Sequence, residues 1–139
     1  MSLVDDIRHA LPLLRAEAEG RMVDACTITR AGSGDTTFDP NTGTYTDAAD
    51  TTIYTGRCEV QVSDGLNAQT SDVGGHLVTD MRVTVKVPMS VDGVWVGDVV
   101  TITASELDPD LVGKTYRVLG TFAKSFATAR RLQVEEVSL

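Results

Sequence analysis

Apolar residues at Leu3, Ile7, Leu11, Leu14, Ala18 and Met22 recur every three or four positions, which places them on one stripe of an α-helix spanning residues 3–22. Pro12 lies inside this stretch. Its ring lacks the N–H that would bond to residue 8 and crowds that carbonyl, so a kink or a late helix start is expected there, and Gly20 marks the place where the helix loosens. A lone amphipathic helix must lay its stripe on a sheet or on a neighbouring copy of the chain.

After Met22 the period becomes two. Cys26 and Ile28, Val60 and Val62, Met81, Val83, Val85 and Val87, and Val100 and Ile102 each alternate with polar neighbours, the pattern of half-buried strands. Thr, Val and Ile dominate these runs because branched Cβ atoms suit a pleated surface. Asp39–Gly43 (DPNTG), Ser90–Gly93 (SVDG) and Asp108–Asp110 (DPD) are turn signals between them, the first at the centre of a short hairpin within residues 33–52. Residues 115–119 and 132–137 supply two closing strands, with Arg130 and Arg131 just before the last. The expectation is one mainly β domain over residues 1–139: a small antiparallel β-barrel at 24–137 with an N-terminal α-helix and a long inserted loop. That loop, Ser63–Gly75 (SDGLNAQTSDVGG), is polar and rich in small residues, longer than a tight hairpin needs, and reads as a mobile excursion.

A chain of 139 residues fits one core. With 12 basic and 20 acidic residues the net charge is -8, which disfavours a surface built to neutralise phosphates, and 5% aromatics leave little for base stacking. The charge is uneven. From Asp35 to Asp110 the basic residues are Arg57, Arg82 and Lys86, whereas Lys114, Arg117, Lys124, Arg130 and Arg131 occupy a stretch without acids. Separate patches of opposite sign allow head-to-tail contact between copies; the plainer reading is two solvated faces. Cys26 and Cys58 form no CxxC and are too few for a disulfide framework, so a reducing compartment is expected. The first residues have acids ahead of the apolar positions and do not read as a signal peptide, and no run of about 20 apolar residues suits a membrane span.

Catalytic signatures are missing: the sequence has no HExxH, GxxxxGK[ST] or GxSxG. His9 and His76 have no second ligand at metal-binding spacing. Cys26, in an alternating strand, reads as a small buried hydrophobe, and Cys58 could pack near it. Glu106, Asp108 and Asp110 lack the glycine and terminal Glu of an EF-hand and read as a turn with solvated carboxylates. Trp95 reads as a cap on one end of the core, its indole N–H on a carbonyl or water, with an interface anchor as the alternative. No metal or cofactor is expected.

Several segments in order carry a resemblance: Arg21–Arg30 (RMVDACTITR), Asp39–Gly43, Ile53–Val62 (IYTGRCEVQV), Val96–Ile102 (VGDVVTI), Asp108–Val118 (DPDLVGKTYRV) and Ser125–Glu136 (SFATARRLQVEE). Together they resemble head-closure, or stopper, proteins of the head-to-tail connector of long-tailed bacteriophages, particularly those of actinobacteria. The resemblance implies a non-enzymatic virion protein at the head–tail interface, assembled in the host cytoplasm. It implies a ring of copies continuing the portal DNA channel and closing it after packaging. Its partners would be portal or adaptor on the head side, tail terminator or tail tube on the tail side, and passing double-stranded DNA held without sequence specificity, with no membrane. Related stoppers project a loop into the channel, which assigns that place to Asp64, Asn67, Gln69, Asp72 and His76; Lys114, Arg117, Lys124, Arg130 and Arg131 are the candidates for ring or partner contact. An acidic subunit suits a channel along which DNA must slide. A terminator or adaptor of the same connector is the nearest rival, and a small-ligand binding barrel is the rival from another class.

Overall fold

The computed structural model describes residues 2–32, 36–46, 48–63, 70–73, 76–79 and 82–138, with backbone alone at 63, 70–73 and 76–79. One helix, α1 (Leu3–Gly20), precedes ten strands: β1 (Asp24–Arg30), β2 (Thr37–Asp39), β3 (Thr44–Thr46), β4 (Thr51–Ser63), β5 (Thr70–Val73), β6 (His76–Thr79), β7 (Arg82–Val87), β8 (Val99–Ser105), β9 (Thr115–Phe122) and β10 (Arg130–Val137). Six of them close an antiparallel barrel in the order β1-β4-β7-β10-β9-β8, while β2-β3 and β5-β6 are separate two-stranded ribbons. The expected fold class is the observed one.

The last two strands complete the ring, as the sequence order implied. The β9–β10 hairpin fills the gap between β7 and β8, and the seam is made by the first strand, β1, against β8. Three register shifts help the sheet bend: between Ile28 and Thr29 against β4, Ala25 and Cys26 against β8, and Gln133 and Val134 against β9. Each adds a residue to one strand of a pair and increases local twist, which a six-stranded sheet needs to meet itself.

The period-two pattern becomes an alternating interior. Cys26, Ile28, Cys58, Val85, Val87, Val100, Ile102 and Val118 are fully enclosed, with Leu132, Tyr116 and Val134 nearly so. These branched side chains fill the barrel rather than line a cavity. Cys26 and Cys58 are free thiols in this core, close enough for a thiol hydrogen bond. Gly56 on β4 pairs with Cys26, and the Tyr54 ring lies over it: a Cβ at Gly56 would come 2.5 Å from the Tyr54 hydroxyl, which itself donates to the Arg57 carbonyl at 2.9 Å. A larger residue at Gly56 would displace the end of the Tyr54 side chain and its bond to the Arg57 carbonyl.

The helix departs from expectation in two ways. It starts at Ser2, whose hydroxyl accepts the Asp5 N–H at 3.3 Å, and runs through Pro12 without a break. Pro12 faces water, where the carbonyl it leaves unpaired can be solvated. The apolar stripe also splits: Ile7, Leu11 and Ala18 are half-covered, but Leu3 is 75% exposed, Leu14 is exposed, and no residue of α1 is buried. Among the described residues no helix is long and apolar enough to cross a membrane.

The turn signals are placed as read. Gly43 adopts φ 69° and donates to the Asp39 carbonyl, closing the β2–β3 ribbon on which Phe38 and Tyr45 pack at 5.0 Å. Asp108 caps a 3₁₀ turn at Pro109–Leu111 by accepting the Asp110 N–H at 3.0 Å. The insertion differs from a plain loop. Ser63 still belongs to β4, residues 64–69, 74 and 75 lie outside the described residues, and Thr70–Val73 pairs with His76–Thr79 as a ribbon. The polar, small-residue composition that resembled a loop does not prevent a short two-stranded pairing.

Burial holds protons on three core groups. The Cys58 thiol is pushed up from its ordinary 9.0, first by its hydrogen bond with Cys26 and then by burial, and burial pushes the Tyr54 and Tyr116 hydroxyls above 10.0. A raised acid pKa in the folded state contributes stability that is complete below the unfolded value and lost as pH rises past it. The thermal midpoint should therefore be level up to about pH 9 and fall above it, with Cys58→Ala delaying the fall towards about pH 10. Thiol titration of the native protein should find neither cysteine reactive, and both should react after unfolding.

Candidate functional site

The five residues proposed for a channel loop divide. Asp64, Asn67 and Gln69 lie outside the described residues; Asp72 is on β5 and His76 opens β6, where the ribbon pairs Asp72 with Leu77 and Val73 with His76.

The basic stretch does not form one patch. Lys114 Nζ donates to Glu136 Oε1 at 2.9 Å, and Arg117 lies 3.5 Å from Glu135, its register partner on β10. Spacing along the chain hid these acids, which hairpin pairing brings opposite the cations. The Lys114 ammonium is held above its ordinary value, first by the hydrogen bond to Glu136. Arg130, the first residue of β10 rather than a residue before it, donates from Nε to the Val91 carbonyl.

Lys124 and Arg131 remain, and they meet a cation the linear charge pattern assigned elsewhere. The barrel register sets Glu59, Lys86, Arg131 and Phe122 in one row across β4, β7, β10 and β9. Side chains of one row share a face, here the outer one. Lys86, Arg131 and Lys124 line an open cleft of about 340 Å³ with Phe122, Gln61 and Thr84 around a floor of Ala127 and Ala129. Glu59 is drawn off by Gln61, whose amide donates to it at 3.0 Å, and none of the three cations has an ion pair among the described residues. Among the described residues no acid lines the cleft, and Phe122 is 55% exposed beside it.

At the β1–β8 seam the sequence reading missed a second cluster. Pairing of Ile28 with Val100 and Thr29 with Val99 brings Arg30 opposite Asp98. The Asp98 carboxylate, 3% exposed, accepts Arg30 Nε at 2.9 Å, Arg30 Nη2 at 3.0 Å and the Trp95 N–H at 2.8 Å. Arg30 also donates to the Gly93 carbonyl at 2.7 Å, and its guanidinium lies 3.6 Å from the Trp95 ring centre. Hydrogen bonding to Asp98 holds Arg30 above its ordinary pKa. Gly97, at φ 96°, makes the turn that returns Asp98 under Trp95 and donates to the Val118 carbonyl. Trp95 therefore does not cap the core: it is 62% exposed, fixed over Arg30, next to an exposed Val96. The available signal was a strand-ending Arg30 and an Asp98 after Gly97, legible only once β1 and β8 are known to pair.

No group of three or more potential metal ligands clusters among the described residues, and the two thiols sit in the core without a base. The fold and surfaces define a small closed β-barrel with a filled interior, an appended helix and its polar features on the outer face. Residues 14–135 match a family of unknown function (DUF6093), and the chain belongs to that family. No curated protein matches it.

Asp98→Asn should lower unfolding free energy by about 3 kcal/mol, the lower end of what breaking a buried pair costs, since Arg30 keeps part of its surface in water. Trp95→Ala should cost no more than about 1 kcal/mol, the worth of an exposed cation–π contact. Urea unfolding of the two variants separates the pair from the ring.

Proposed function

We propose that this chain is a structural subunit of a bacteriophage head-to-tail connector, a head-closure protein that forms a ring beneath the portal and continues its DNA channel. The observation that carries the reading is a helix with no buried residue whose leucines at 3, 13 and 14 stay exposed among the described residues. A contiguous exposed apolar face is characteristic of a subunit that completes itself against others. The filled interior favours this over a small-ligand barrel, which would keep a cavity among its core residues. In such a ring the channel lies on the ring axis, outside each barrel, and a subunit of net charge -8 holds passing phosphates weakly. The ordered motifs Arg21–Arg30, Val96–Ile102 and Ser125–Glu136 support a connector subunit, and position in the particle separates head closure from terminator or adaptor. The insertion from β4 to β7, with its β5–β6 ribbon, is the element assigned to the channel.

The test is the composition and density of particles from a phage encoding the chain. Mass spectrometry should detect it in virions and in DNA-filled tailless heads, and electron cryomicroscopy should show it as a ring below the portal. Absence from purified virions overturns the proposal. Removing residues 70–79 should leave the ring in place and let packaged DNA escape from tailless heads; unchanged DNA retention removes the insertion from the closing role.

A further inference from the structure

Two surfaces of this chain lack partners of their own and match each other. On α1, Leu3, Asp6, Ala10, Leu13, Leu14 and Glu17 are all exposed. Leu3, Asp6, Ala10, Leu13 or Leu14, and Glu17 follow one another at steps of three or four, so the six form one face, apolar with two carboxylates and no base. The other side carries Arg15, whose Nε donates to the Ala127 carbonyl at 3.2 Å, so the helix touches its own barrel through that side. The Leu3–Leu14 face is turned away from it.

The cationic cleft is the complement. It offers Lys86, Lys124 and Arg131 with no acid among the described residues that line it, an exposed Phe122 and a small-residue floor, and no residue of α1 lines it. In a chain with eight more acids than bases, three cations left without an ion pair around an exposed aromatic ring need an acidic, apolar occupant. The α1 face has that composition.

We infer that the Leu3–Glu17 face of α1 in one copy seats in the Lys86–Lys124–Arg131 cleft of the next. Asp6 and Glu17 meet the cations, and Leu3, Leu13 and Leu14 cover Phe122. The contact joins two different patches, so it is heterologous: each copy gives a helix to one neighbour and a cleft to the other, and the chain of contacts closes when the rotation between copies divides a full turn. The inference rests on reading the protein as a self-assembling subunit, but not on where the assembly sits.

The experiment uses the full purified chain. A photocrosslinker at position 14, mixed with an isotope-labelled second copy, should give intermolecular products that map to residues 122–131. Sedimentation should show concentration-dependent association that weakens about tenfold or more in Lys124→Glu/Arg131→Glu and equally in Asp6→Lys/Glu17→Lys. The variant carrying all four changes should recover it. These side chains are exposed, and if the cleft variant misfolds by circular dichroism, the helix variant and the crosslink carry the test. Crosslinks confined to one copy or mapping elsewhere, or no recovery in the combined variant, overturn the inference. So does binding of a 20-base-pair duplex that the cleft variant loses and the helix variant keeps, which assigns the cleft to phosphate. A crosslink of the expected kind in a protein absent from virions leaves the interface standing and removes the connector reading alone.

Discussion

The structure depends on the seam where β1 meets β8. A barrel has no free edge only if its first and last strands by spatial order are held together. Here a strand near the N-terminus must find one some seventy residues later. Both ends of the seam are fastened by a carboxylate with little access to water. At one end Asp24 accepts the Ser105 hydroxyl at 2.6 Å; at the other Asp98 takes two bonds from Arg30. A buried pair adds little net stability over an apolar equivalent, but an unpaired carboxylate there is costly, so both clasps penalise any register except the observed one. The Asp98 clasp also gathers Gly93, Trp95 and Val118 into one hydrogen-bonded knot, so the rigidity of the exposed Trp95 follows from the closure of the barrel.

Closure sorts the charges as well. Hairpin pairing of β9 and β10 places Glu135 and Glu136 against Arg117 and Lys114, which quiets two of the five bases of that stretch. Further along the same sheet Lys86 from β7, Arg131 from β10 and Lys124 from the connecting loop gather around Phe122. One cationic segment thus becomes an internally paired band and a cleft that is not paired. Exposed pairs such as Lys114–Glu136 contribute little to stability, whereas cations concentrated in a concave site focus potential and choose partners.

What could be read from the linear chain was whatever repeats locally. Period two at Cys26–Ile28 and Val83–Val87 marked strands, Asp39–Gly43 marked a hairpin, and the three-and-four spacing from Leu3 onward marked a helix, because each signal depends only on neighbours within a few residues. The ribbon in the insertion was not legible, since the residues around Thr70–Val73 are polar and small and show no apolar alternation in the sequence. Trp95 was misplaced because a single aromatic beside a turn carries no periodicity, and its ring is positioned by Arg30, sixty-five residues away.

The sequence by itself thus determined the element types, the filled β core with two reduced thiols, and the acidic balance that argues against a general phosphate surface. Tertiary structure alone decided which strands meet at the seam of the barrel, which cations are neutralised and which stand free, and that the apolar stripe of α1 is divided between a half-covered side and an uncovered one. These are outcomes of strand order and register, and pairing between distant segments is set by the geometry of closure, which no local pattern encodes.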